Sequence, residues 1–153
     1  MRYRPLGQSG LLVSVVGLGC NNFGSRLDVD GTRAVVDARA AVLPARQRPA
    51  DGKVRRGQPI PSGIRLAGRQ DYVTEEKLAR VEALIAWARA HGVTLLETAI
   101  GALAAQPGCS SVIAGATSAE QVKANAAAAD WIPSAAELAE IDAIVPPPPG
   151  PVS

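Results

Sequence analysis

Apolar and polar positions along the chain change their spacing several times, and each change predicts an element. Residues 1–10 carry turn chemistry, with Pro5, Gly7 and Ser9-Gly10, so the short segments on either side are placed to pair as a hairpin. Leu11-Leu12-Val13-Ser14-Val15-Val16 follows as an apolar, partly β-branched run closed by Gly17-Leu18-Gly19. Such a run predicts one continuous strand of a parallel sheet covered on both faces. Thr32 to Ala41 reads as a helix with Val35, Val36 and Ala38 on its apolar side.

Beyond a long interruption the pattern becomes orderly. Thr74 caps a helix with Glu75 and Glu76 in its first turn and Leu78, Val81, Leu84, Ile85 and Ala88 along one face. Arg89 and His91 close its last turn, where the dipole favours positive charge, and Gly92 supplies the left-handed stop. His91 therefore reads as a structural group. Thr94 with Glu97 opens a second helix that Pro107-Gly108 ends. Ser111 to Ala114 predicts a short buried strand, and Gly115-Ala116-Thr117 predicts a turn. Ser118 with Gln121 caps a helix to about Ala129, and Ser134 with Glu137 caps another with Leu138, Ile141 and Ile144 inward. Pro146 to Pro149 cannot continue a helix and predict an extended tail.

The interruption is residues 42–70. It holds Pro44, Pro49, Pro59 and Pro61 together with seven basic side chains against the single acid Asp51, and it shows no hydrophobic period. Loops of this length are uncommon inside a compact domain. The interruption also makes the charge lopsided. Residues 1–70 carry twelve basic and four acidic side chains, and residues 71–153 carry four and ten, leaving a net +2. The basic stretch 39–69 contains no aromatic side chain for stacking on bases, so a nucleic-acid partner is not expected.

Composition adds limits. At 47% hydrophobic and 20% charged the chain is of globular type, while only 3% aromatic residues leave an aliphatic, alanine-rich core. No run of 18 apolar residues exists, so no membrane span is expected. Arg2 and Arg4 ahead of the apolar run to Cys20 give a superficial likeness to a secretory signal. Gly17 and Gly19 interrupt that run, and the strand is the better reading. Two distant cysteines, Cys20 and Cys109, lack metal or redox spacing and suit a reduced, cytoplasmic protein. The 153 residues are too few for a complete (β/α)₈ barrel, which takes roughly 250.

Chemistry concentrates at Ser111 to Asn125. A strand that ends in a glycine turn and enters a helix at Ser118 aims backbone N–H groups at one point, which favours an anion such as a phosphate. Thr117 and Ser118 add hydroxyls, and Gln121 and Asn125 follow along the same helix face. The same pattern also joins strands to helices with no ligand at all. Acid–base groups are scarce: one histidine (His91), two tyrosines (Tyr3 and Tyr72), and the lysines Lys53, Lys77 and Lys123.

Three segments together resemble the aldo-keto reductases. Met1 through Gly24 is similar to that family's N-terminal hairpin and first barrel strand. Gly52-Lys53-Val54-Arg55-Arg56-Gly57 through Arg65 is similar to the loop after its seventh strand, and Ser111 through Asn125 to its eighth strand and the helix beyond. The resemblance implies an NADP(H)-dependent carbonyl reductase acting on a small-molecule carbonyl substrate. It implies Gly115, Thr117, Ser118, Gln121 and Asn125 around the adenosine phosphate, Lys53 and Arg65 as basic partners, and Gly19, Cys20 and Asn21 under the nicotinamide. Ala124 stands where the family often has a glutamate toward the adenine.

The resemblance also implies a loss. The family's catalytic Asp and Tyr, in a stretch like Phe-Asp-Thr-Ala-x-x-Tyr-Gly, and its catalytic Lys and His have no counterpart here, so no catalytic residue is assigned. The expected fold is α/β: a partial (β/α)₈ barrel, not closed, with the hairpin, unit one, units seven and eight and the C-terminal helices. Residues 1–39 would form the hairpin and first unit, 40–51 the junction, 52–145 the remnant with the phosphate motif, and 146–153 the proline-rich tail. The first and eighth strands adjoin in a closed barrel, so they remain able to pair in parallel, with exposed edges through which copies could associate.

Overall fold

A computed structural model of the chain describes residues 1–40 and 74–146. Contacts divide it into two compact units. One holds described residues 1–40 and 96–133, the other residues 74–95 and 134–146. The junction at 41–51, Lys53, Arg65 and the tail from Pro147 lie outside the described residues.

In the first unit β1 (Tyr3–Pro5) pairs antiparallel with β2 (Leu12–Ser14), as the turn residues predict. Gly7 and Gly10 both take positive φ in the connection, which only glycine adopts readily. The predicted continuous strand is corrected. The apolar run divides at Val15 into β2 and β3 (Val16–Gly19), so Gly17 lies within a strand while Gly19 still closes one. Val15 is the reason. Its N–H donates to the Arg2 carbonyl at 2.9 Å, on the hairpin side, while its carbonyl accepts from the Val112 N–H at 2.8 Å. One residue, 1% exposed, thus hands the chain from one sheet to the other.

β3 pairs in parallel with β4 (Val112–Gly115), in the register Val16↔Val112 through Gly19↔Gly115. The structure is thus mixed α/β without a closed barrel; among the described residues there are two two-stranded sheets. Val16, Leu18, Val112 and Ala114 point to the helix side. There they meet Ile100, Ala104, Ala128 and Ala129 in one cluster, and Val35, Ala38, Ala116 and Val122 in another. The opposite face is Gly17, Gly19, Ile113 and Gly115. Ile113 is 76% exposed, so the expectation of a buried strand is also corrected: β4 is covered on one face only.

Helix α1 (Val29–Ala40) starts three residues before the predicted Thr32. Asp28 Oδ1 accepts the Gly31 N–H at 2.8 Å and sets the earlier start. Helix α3 (Leu95–Ala105) ends before Gly108, which has φ +79°. It packs so closely at Gly101 that an added Cβ would overlap the Trp131 ring. Helix α4 (Ala119–Ala128) begins at the expected cap, Ser118. Arg2, just before β1, and Arg4, within it, reach helix ends. Arg2 Nε donates to the Ala129 carbonyl at 3.0 Å and its Nη2 donates to the same oxygen, while Arg4 Nη1 donates to the Ala104 and Cys109 carbonyls, each at 2.7 Å. Cations at carbonyl-rich helix ends are favourable.

The second unit joins α2 (Glu75–Ala90) to α5 (Ala135–Ile144). Thr74 and Ser134 cap them as predicted, and Ser134 with Glu137 forms a complete capping box. Of the predicted face, Ala88 and Ile141 are buried, and Leu78, Val81, Leu84, Ile85, Leu138 and Ile144 are half-buried. Trp87, absent from the predicted face, is buried beside Ala88. Among the described residues no helix is long and apolar enough to cross a membrane.

Candidate functional site

β3 and β4 run in parallel, so their carboxyl ends, Gly19 and Gly115, lie side by side. Ligands of open α/β sheets bind at such ends. Beyond Gly115 the chain passes through buried Ala116 to exposed Thr117 and enters α4 at Ser118. The two carbonyls at this exit are held by asparagine amides from different elements. Asn125 Nδ2 donates to the Gly115 carbonyl at 3.2 Å, and Asn22 Nδ2 donates to the Ala116 carbonyl at 3.1 Å.

The donors expected to meet an anion are internally engaged. Gln121 Oε1 accepts the Thr117 N–H at 2.7 Å and the Thr117 hydroxyl at 3.1 Å. Ser118 Oγ accepts the Gln121 N–H at 3.3 Å, an N-cap bond. Glu120, in the first turn of α4, has its carboxyl held below the usual glutamate range. Its own backbone N–H is the main cause, the Ser118 hydroxyl adds to it, and Lys123 contributes by charge. Binding of a phosphate would thus require the Gln121 side chain to rotate away and release Thr117. The donor set then fits: one amide and one hydroxyl on Thr117, with a bare glycine pair beside them.

Several of the ten residues singled out in the sequence come together here: Gly19, Gly115, Thr117, Ser118, Gln121 and Asn125 share one end of the sheet. Gly19 has a local reason to be glycine, since a Cβ there would stand 3.3 Å from Ile113 Cγ2. Cys20 and Asn21 are exposed on the turn beyond β3. The Cys20 thiol is 3.6 Å from the Leu18 carbonyl, and the Asn21 carbonyl accepts the Ser25 hydroxyl at 3.4 Å. Lys53 and Arg65 lie outside the described residues. Sequence reasoning missed Asn22, whose backbone carbonyl also accepts from Arg26 at 3.0 Å and Leu27 at 3.1 Å. Its signal was its residue type, since asparagine is a frequent turn former.

A shallow depression opens on the helix side of the same sheet, lined by Met1, Val16, Leu18, Ala114, Val122 and Asn125 among others. Its volume is only about 10 Å³ and it is open to solvent, far below the roughly 300–1,000 Å³ of typical small-molecule sites. Among the described residues no group of three His, Cys, Asp or Glu side chains could hold a metal ion.

Comparison with known proteins decides the wider assignment. The sequence model of the aldo/keto reductase family matches residues 28–146. The chain belongs to that family. Aldo/keto reductases are oxidoreductases that generally use NAD(P)H, and the match spans α1, the described part of the second unit, and the whole β4–α4 segment. The hairpin and β3 precede the matched span. No curated protein matches the chain.

Proposed function

We propose that this aldo/keto reductase chain is a nucleotide-binding remnant. It holds the adenosine-phosphate end of NADP(H) at the β4–α4 turn and performs no carbonyl reduction. The observation that carries the reading is the Thr117–Ser118 turn at the carboxyl end of a parallel strand pair, with Gly19 opposite Gly115. Once Gln121 turns away from the Thr117 amide and hydroxyl, this helix N-terminus offers them to an anion, and the family's members work with this class of cofactor. Lys53 and Arg65 would add charge from the basic stretch.

Loss of turnover follows from the residues available. Hydride transfer to a carbonyl needs a proton donor in fixed geometry beside the cofactor. Tyr3 is exposed on the short strand β1, and the only histidine, His91, is engaged by Trp87 and Glu140. The segments that resemble a reductase skip its second to sixth units, with the junction at 40–51. Rereading the coding DNA across those codons tests that part: a longer frame restoring the missing Tyr, Lys and His segments overturns it.

Titration of the purified chain with NADPH and with 2′,5′-ADP, followed by assay with a panel of aldehydes and ketones, tests the rest. Binding of both nucleotides without turnover is expected. Measurable turnover overturns the inactive reading, and failure to bind either nucleotide overturns the cofactor site. A second reading, association of copies through the β3–β4 sheet, draws on the exposure of Ile113. It predicts a dimer in sedimentation that Ile113→Lys abolishes.

A further inference from the structure

The second unit contains a cluster that the proposed function does not use. Trp87 and His91 lie one turn apart at the end of α2, and their rings stack with centroids 3.9 Å apart and planes at 19°. Trp87 Nε1–H donates to Glu140 Oε2 on α5 at 2.7 Å. His91 Nε2 lies 3.3 Å from that same oxygen. His91 Nδ1 lies 2.9 Å from the Trp87 backbone carbonyl. Both ring nitrogens therefore face acceptors, one a carbonyl and the other a carboxylate.

A neutral imidazole carries one N–H and can serve only one of them, whereas the imidazolium carries two and serves both. We propose that His91 is a proton-operated clasp between α2 and α5. With the proton, the ring donates to Trp87 and Glu140 together and presents a cation to the Trp87 face and the carbonyl end of α2. Without it, one nitrogen lone pair is left against an oxygen, and α5 is held by the Trp87–Glu140 bond and apolar packing. Glu140 and Glu137 on α5 are negative, and the Glu137 carboxyl is itself lowered in part by the charge of His91. Arg89, two residues earlier in the last turn of α2, is the one described cation nearby in sequence. The clasp is half open to water, with side-chain exposures of 31% and 54%, so its effect is modest.

The test uses the full chain. Tryptophan emission is followed from pH 8 to pH 5, the range in which histidine side chains change charge, for wild type, His91→Gln and Glu140→Gln. In parallel, hydrogen exchange of the α5 amides Leu138 to Ile144 is measured at pH 5.5 and 7.5 and divided by the chemical exchange rate. The expected result is one emission step in wild type, absent from His91→Gln and diminished in Glu140→Gln. The α5 amides should be about two- to five-fold better protected at the lower pH in wild type alone. A wild type without the step, or an equal protection ratio in His91→Gln, overturns the clasp. Should His91→Gln fail to fold by circular dichroism, Glu140→Gln decides, because an unchanged step there overturns the proposal equally.

Discussion

The side-chain oxygen of Gln121 accepts both the amide and the hydroxyl of Thr117, at 2.7 and 3.1 Å. This bridge closes the β4–α4 turn in the free protein. Gln121→Ala removes it, and the Thr117 amide should then exchange with solvent several-fold faster by NMR. The melting temperature should fall by a few degrees, in keeping with about 0.5–1.5 kcal/mol for a net hydrogen bond. Unchanged exchange at Thr117 would show that the bridge does not protect it.

Gly101 faces Trp131 inside the first unit. A methyl group there would overlap the ring and lie 3.0 Å from the Trp131 carbonyl. Gly101→Ala gains helix propensity, worth about 1 kcal/mol, yet overpacking typically costs about 1–3 kcal/mol. The net expectation is destabilisation, read as a lower urea midpoint at an unchanged slope.

Arg4 ties β1 to two carbonyls that precede and follow the end of α3, Ala104 and Cys109. Charged donors contribute about 1.5–3 kcal/mol per bond where both partners leave water. Arg4→Met keeps much of the aliphatic stem and loses the guanidinium. It should destabilise the first unit by about 1–3 kcal/mol in chemical denaturation, and Arg4→Lys should recover only part of this, since one ammonium cannot reproduce the planar fork.

Acid should weaken two helix starts. The backbone N–H and hydroxyl of Ser134 hold the Glu137 carboxyl below its usual range, aided by the charge of His91, and Glu120 is lowered by its own N–H and by Ser118. A carboxyl lowered in the folded state contributes stability that is complete above the ordinary glutamate range and is lost as pH falls through the lowered value. Melting temperatures should therefore drop on going from pH 6 to pH 3. The drop should be smaller in Ser134→Ala, which has already lost the interaction. An equal drop in both proteins would count against the Glu137 contribution.

Local signals read well from the sequence where their cause is local. Thr74, Ser118 and Ser134 each cap the helix they were expected to cap, and the Pro5–Gly10 stretch turns the hairpin. These depend on side chains reaching backbone groups three residues away. What escaped depends on distant partners. The run Leu11 to Val16 is uniformly apolar, so nothing in its period marks Val15 as the point of exchange; only Arg2 and Val112 do. Ile113 looks like a core residue until the strand is seen to have one covered face. At the site, residue types and order located the turn, but whether Gln121 faces a ligand or its own turn is a matter of rotamer. The Trp87–Glu140 bond spans 53 residues and leaves no periodic trace.

Val15 has one further consequence. Its amide belongs to the hairpin and its carbonyl to the parallel pair, so the alignments of the two sheets are one variable and not two. A one-residue slip of the hairpin would carry β3 with it, turn Val16 and Leu18 away from the helices, and bring Gly17 and Gly19 in their place. The amino-terminal hairpin thus serves as an alignment gauge for the strand that supports the candidate site.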